Sequence, residues 1–231
     1  MIAVSLFVLA LAAAAPTPAP AAPAQQGVLR EVVYGVTTAS KVTTSRTAYE
    51  GLSTQNTSST DQGTVTVDIT GVNGDALVMQ IKELMNNKGS VSTFDGAVTP
   101  DGLVAFEAGS IGDATRELLQ YFGTQFYPPD KNAVGQTWTT KYEHGGGKVQ
   151  TTYTITKVDG DEMTLREQQT GTYSANSATM TTTGTIVVKP SILVSISGDV
   201  TRTLLTTDVS GEVRQQFSFH WERKSDSHNP N

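Results

Sequence analysis

The chain contains no cysteine. That absence excludes disulfides, thiolate metal sites, a cysteine nucleophile and a lipid-modified N-terminal cysteine, so an exported form must be held by its core alone. Basic residues are sparse: sixteen Lys and Arg stand against twenty-two Asp and Glu, for a net charge of −6. They form no run and the sign is wrong for nucleic acid, so no nucleic-acid partner is expected. No Gly-x-Ser-x-Gly elbow, phosphate-binding glycine loop, His-Glu-x-x-His pair or paired-carboxylate motif occurs. No apolar run reaches the ~20 residues of a membrane-spanning helix. The longest, residues 1–15, ends in small residues and reads as the h-region of a signal peptide, although no Lys or Arg precedes it. Ala22-Pro23-Ala24 before Gln25 fits the small-x-small cleavage rule. Residues 1–24 are therefore expected to be a signal peptide, with export to a periplasmic or extracellular location and no membrane span in the mature chain.

What the chain does contain is one hairpin written twice. Residues 64–81 and 150–167 superpose Thr66 on Thr152, Ile69 on Ile155, Thr70 on Thr156, Val72 on Val158, Gly74 on Gly160 and Asp75 on Asp161. Each copy is a strand of period two, an Asn-Gly or Asp-Gly turn, and a second strand of period two. The pattern predicts a mainly β fold in a single domain over 25–231, with one pseudo-repeat at 28–123, another at 134–223, and a flexible tail at 224–231. Strands are expected at 28–38 and 41–52, with a polar connector at 53–62 that includes the glycosylation sequon Asn56-Thr57-Ser58. Further strands are expected at 192–197 and 199–207. In the last strand Val213, Gln215, Phe217, Phe219 and Trp221 alternate with Arg214, Gln216, Ser218, His220 and Glu222, which predicts one buried and one wet face.

One segment breaks the β pattern. Ile111, Ala114, Leu118, Leu119 and Phe122 fall at helical spacing between Ser110 and Gly123, which suit an N-cap and a C-terminal stop. A helix of about 12 residues is marginal alone in water, so the helix expected at about 111–122 must dock on a sheet. About a dozen strands with one apolar face must curl, split or close, as a half-open barrel or as a sandwich. One short helix cannot cover so many strands, so a wrapped sheet keeps concave apolar surface for a ligand or partner.

A β-rich half, a helix, a Pro-containing turn at Tyr127-Pro128-Pro129, then Val134-Gly135-x-x-Trp138 opening a second β half resembles an uncharacterised family of exported bacterial proteins. Its layout is similar to the LolA/LppX-type carriers, in which a curled antiparallel sheet holds a helix and an acyl-chain cavity. The resemblance implies a lipid carrier, and it carries over no functional residue.

The binding surface expected from the apolar face comprises Leu118, Phe122, Trp138, Tyr153, Phe217, Phe219 and Trp221. The partner expected is a lipid or small apolar molecule; no catalytic residue, metal or cofactor is assigned, and the oligomeric state is left open. A secreted structural or adhesive β module is the alternative. A hydrolase built around His220, Glu222 and Ser218 is a third, weakened because same-face neighbours on one strand stand ~6.5–7 Å apart. Asp159-Gly160-Asp161-Glu162 could suggest calcium, but the first copy has Asn73 and Ala76 at the matching positions, so a turn explains both.

Overall fold

The computed structural model describes residues 28–48, 51–74, 76–98, 104–106, 115, 118–119, 121, 130–144, 147–173, 178–190, 194–209 and 211–228. The segment expected to be a signal peptide, residues 1–24, and Phe122 lie outside the described residues. Among the described residues eleven strands form one sheet: β1 (Arg30–Ala48), β2 (Gly51–Asn73), β3 (Ala76–Met85), β4 (Ser92–Val98), β5 (Val104–Phe106), β6 (Thr137–His144), β7 (Gly147–Asp159), β8 (Glu162–Tyr173), β9 (Ala178–Lys189), β10 (Val194–Asp208) and β11 (Gly211–His228). Their spatial order is β5-β4-β3-β2-β1-β11-β10-β9-β8-β7-β6, and every neighbouring pair is antiparallel. The first and last strands thus meet in the middle of the sheet, and its two outer strands, β5 and β6, are consecutive in sequence. The sheet is a single open one, neither closed into a barrel nor divided into a sandwich.

The duplicated sequence produces duplicated geometry. Both hairpins carry a register shift at the same place, between Ile69 and Gly71 in β2 and between Ile155 and Lys157 in β7. The extra residue is a threonine each time. Thr70 donates to Val78 O at 3.4 Å and Thr156 to Thr164 O at 3.1 Å, so the hydroxyl secures a bulge that increases local twist. Both tips turn on a glycine in the left-handed region, Gly74 at φ 60° and Gly160 at φ 61°, a conformation that disfavours any residue with a Cβ.

Several boundaries differ from those the sequence suggests. The expected break near Thr38 is absent: β1 runs unbroken, and the polar connector at 53–62 is part of β2, paired residue by residue with it. Ser and Thr extend here because hydroxyl pairs across the strands, such as Ser40 with Ser59 and Thr43 with Asn56, both at 2.8 Å, replace apolar contacts. The two strands expected at 192–207 are one, β10, with an irregularity between Ser195 and Ser197. β11 continues past Arg223 to His228, through residues expected to form a flexible tail. Arg30 holds that end by donating Nε and Nη2 to the two carboxylate oxygens of Asp226, at 2.8 and 2.7 Å.

One face of the sheet, the inner one, carries the core: Val32, Tyr34 and Val36, then Val65, Val67, Met79, Ile81, Ile155, Leu165, Ile186, Val188, Val200, Phe219 and Trp221, all buried. The alternation expected in β11 is present, with Phe219 and Trp221 buried and Arg214, Gln216, His220 and Glu222 exposed. Of the segment expected to be helical, the described positions Thr115, Leu118 and Leu119 are helical and Tyr121 follows in a turn. All four are fully buried against the inner face.

Trp221 is the centre of that packing. Its indole N–H donates to Ser195 Oγ at 3.0 Å, and Tyr34 donates its phenol to Ser195 O at 2.9 Å. Burial pushes the Tyr34 phenol up from its ordinary value and keeps it a donor. The ring of Trp221 lies directly on Gly198, where an added Cβ would come within 2.1 Å of the ring. Gly198→Ala is therefore expected to destabilise the fold by about 1–3 kcal/mol through overpacking. A lower urea midpoint with an unchanged m value, together with a changed near-ultraviolet tryptophan signal, checks this.

Candidate functional site

The inner face is apolar at its lower and middle levels but contains buried polar groups that alternation alone places there. In β3 the inward series is Leu77, Met79, Ile81, Glu83, Met85, and in β8 it is Met163, Leu165, Glu167, Gln169. Register makes these series equivalent: Val67 opposes Ile81 as Tyr153 opposes Glu167, and Val65 opposes Glu83 as Thr151 opposes Gln169. The two copies thus differ in where they bury a carboxylate. Glu83 and Glu167 have 1 % and 0 % of their surface exposed, an arrangement that requires hydrogen-bonded partners.

The chain joining β5 to β6 supplies partners for both. Thr115 donates Oγ1 to Glu83 Oε2 at 2.5 Å, and Lys88 Nζ donates to Glu83 Oε1 at 2.6 Å. Tyr121 donates its phenol to Glu167 Oε2 and stacks on Trp221 with ring centroids 5.2 Å apart. One short segment therefore touches β3, β11 and β8. Strands β3 and β8 are six strand spacings apart in the sheet, or ~29 Å if it were flat. The six steps from Thr115 to Tyr121 advance ~9 Å as a helix and ~20 Å fully extended. Side chains stand roughly perpendicular to a sheet and add little to this span, so the sheet must curl around the segment.

Above this level the helical segment gives way to a polar belt on the same face. Gln169 donates to Thr151 Oγ1 at 2.8 Å and accepts from Thr182 Oγ1 at 3.0 Å, a satisfied network across β7, β8 and β9. Arg202 follows on β10, its guanidinium 5.8 Å from the centroid of Phe219. Between the belt and the β3–β4 turn lies a cleft of about 190 Å³ lined by Thr38, Ser40, Ser59, Asp61, Phe219 and the Glu83–Lys88 pair, among others. Phe217, level with Arg202, and the inward-facing Val42, Leu204 and Val213 above it are only half-buried.

Of the residues expected to form a binding surface, the six that are described pack on this face, at different depths. Leu118, Tyr153, Phe219 and Trp221 are in the core, covered by the protein itself, while Trp138 and Phe217 are partly buried and pack against it. Trp138 stacks on Tyr153 at 5.3 Å and Phe217 on Phe219 at 6.3 Å. His220 is on the opposite, outer face, half-exposed and 2.7 Å from Asp199. Its neighbours are engaged elsewhere: Ser218 contacts Thr201, and Glu222 pairs with Lys224, whose ammonium holds that exposed carboxylate below its ordinary range. At the second hairpin tip Asp159 pairs with Lys157 at 2.8 Å and Asp161 with Lys189 at 3.0 Å. Among the described residues no three carboxylates or histidines are grouped as a metal site.

Glu83 was readable as an anomaly because it interrupts an inward apolar series, and Glu167 because it ends one in the middle of a strand. Thr115 and Tyr121 carried no comparable mark. Tyr121→Phe is expected to cost about 1–3 kcal/mol, because a buried carboxylate loses a donor. The double variant Tyr121→Phe/Glu167→Ile, which gives the second copy the isoleucine of the first, is expected to lose less than the sum of the single variants in a thermodynamic cycle.

Comparison with known proteins adds a family of unrecorded activity. Residues 117–212 match a model described as "Family of unknown function (DUF6263)". The match begins in the segment that docks on the inner face and ends at the start of β11, less than half of the chain. No curated protein sequence matches. Among solved structures, one titled "Lipid-protein interactions in lipovitellin" superposes with a TM-score of 0.49 at 11% identity, over 89% of this chain and 26% of that one. The chain thus spans about a quarter of the length of that protein.

Proposed function

We propose that the chain is an exported, non-enzymatic binding protein that accepts the apolar part of an amphipathic molecule on the upper inner face of its curled sheet. The observation that carries this reading is the half-buried group Val42, Leu204, Val213 and Phe217. It continues the sealed core beyond the helical segment, on strands whose length exceeds what that segment covers. The adjoining cleft of about 190 Å³ is equivalent to roughly six water volumes and falls below the ~300–1,000 Å³ of enclosed ligand pockets. A ligand would therefore lie along the trough with one side open. Thr38, Ser40, Asp61 and Lys88 are suited to its polar end.

Each methylene buried there contributes ~0.8 kcal/mol, so about eight methylenes supply ~6 kcal/mol before ordering costs. That corresponds to a dissociation constant of about 20–40 µM, raised further by those costs. Export rests on the apolar run at 1–15 and the cleavage pattern before Gln25. The expected N-terminus of protein recovered from outside the cytoplasm is Gln25; intact protein beginning at Met1 inside the cell contradicts that part of the proposal.

Solvent extraction of protein purified from its native host, followed by mass spectrometry, is expected to release an amphiphile. A fluorescent fatty acid titrated into the stripped protein is expected to bind at about 20 µM or above. Phe217→Ser and Leu204→Gln should each weaken that binding about tenfold or more, equivalent to ~1.4 kcal/mol. An empty extract with no binding, or equal binding by folded wild type and both variants, overturns the proposal.

A further inference from the structure

β2 carries a long edge that no other described strand uses. β3 stops pairing with β2 at Gly63 and Met85, and Asn86 N–H makes the last hydrogen bond, to Gln62 O at 2.8 Å. Above that point residues 53–61 of β2 pair with β1 alone, and the side chains of 53–60 are exposed. Gln62 directs its carbonyl toward the β3 side. Backbone groups alternate along a strand, so Thr60, Ser58, Asn56 and Thr54 direct both N–H and C=O to that same open side. Asp61 closes the lower end: its Oδ1 accepts from Gln62 N–H at 2.9 Å and Asn87 N–H at 3.2 Å.

Proteins ordinarily blunt such an edge with charge, proline, a bulge or brevity. Residues 53–60 read Ser-Thr-Gln-Asn-Thr-Ser-Ser-Thr and have none of these, while their register with β1 is unbroken.

We infer that this edge pairs with the same edge of a second copy of the chain, antiparallel about a two-fold axis at Thr57. The axis places Thr54 opposite Thr60, Gln55 opposite Ser59 and Asn56 opposite Ser58. The residues whose backbone groups point outward thus face one another and exchange both hydrogen bonds. Only hydroxyl and amide side chains meet, so two chains of net charge −6 approach here without opposing like charges. The same chemistry already joins β2 to β1 through Ser40–Ser59 and Thr43–Asn56. Isologous contacts of this kind close on themselves and leave no growing edge. A ladder of nine residues is ~30 Å long and smaller than the ~1,600 Å² of a stable interface, so the dimer is concentration-dependent. It joins two troughs side by side in one continuous sheet, and it does not depend on what the troughs bind.

Sedimentation over about 1–500 µM tests this. Wild type is expected to pass from monomer to dimer across that range. Ser58→Pro removes an N–H that points away from β1, so it costs no internal ladder bond. It is expected to weaken association about ten- to a hundredfold. Thr57→Lys sets two ammonium groups against each other on the axis and is expected to do the same. An equimolar mixture of Thr57→Lys and Thr57→Glu is expected to restore the dimer, which identifies a second copy as the occupant. A monomer at every concentration, or a dimer indifferent to both variants, overturns the inference.

Discussion

Tyr121 is placed between Trp221 and Glu167, and the shape of the molecule depends on that contact. A sheet of eleven antiparallel strands with one apolar face must hide that face, and this chain does so with the segment that joins its two outermost strands. Because β5 and β6 are consecutive in sequence, the connection has to travel from one edge of the sheet to the other. The shortest route is across the inner face. Thr115 fixes the segment to Glu83 on β3 and Tyr121 fixes it to Glu167 on β8, so a stretch shorter than the ~29 Å that would separate those strands in a flat sheet draws the two halves toward each other. Each half contributes one of the two buried carboxylates that hold the segment. Neither repeat alone contains both anchors.

Buried carboxylates are costly unless their hydrogen bonds are made, which makes the two anchors specific as well as strong. A slip of the segment along the face would leave Glu83 and Glu167 without these donors, and a one-residue slip in β3 or β8 would turn them outward. The same logic explains why the trough is sealed below and open above. The helical segment covers the levels of Trp221, Leu165 and Ile81, whereas β1, β2, β10 and β11 continue beyond it. There the inner face changes to Thr, Ser and Gln with Val42, Leu204, Val213 and Phe217 among them. Surface that the described residues leave half-buried is where a ligand would gain most from burial, and a β2 edge that no described strand pairs is where another strand would gain most from pairing.

Much of the fold was legible because a strand writes its two faces in alternate residues. The Val213-to-Trp221 series named its buried face, and the repeated Asn-Gly and Asp-Gly hairpins specified the turn twice, though not the bulges at Thr70 and Thr156. The single open sheet was less legible. Pairing of β1 with β11 joins the two ends of the sequence, and no local pattern announces so distant a contact. Residues 53–62 read as a connector because Ser, Thr and Asn favour turns, yet paired hydroxyls keep them extended. Lys224 to His228 read as a tail because the partner of Asp226 is Arg30, almost the whole chain away. Of the site, the apolar residues and their shared face could be inferred. Their depth could not, since it depends on where Thr115 and Tyr121 land.

The curl itself is directly measurable. With no native cysteine, Leu84→Cys and Gln168→Cys place spin labels at exposed outer positions on β3 and β8. Pulsed electron–electron resonance on the doubly labelled protein should give one narrow distance distribution. The same pair in a Thr115→Ala/Tyr121→Ala background should give a longer and broader one, because the sheet is then free to flatten. An unchanged narrow distribution in that background would show that the sheet holds its curvature without the segment, and would contradict the account.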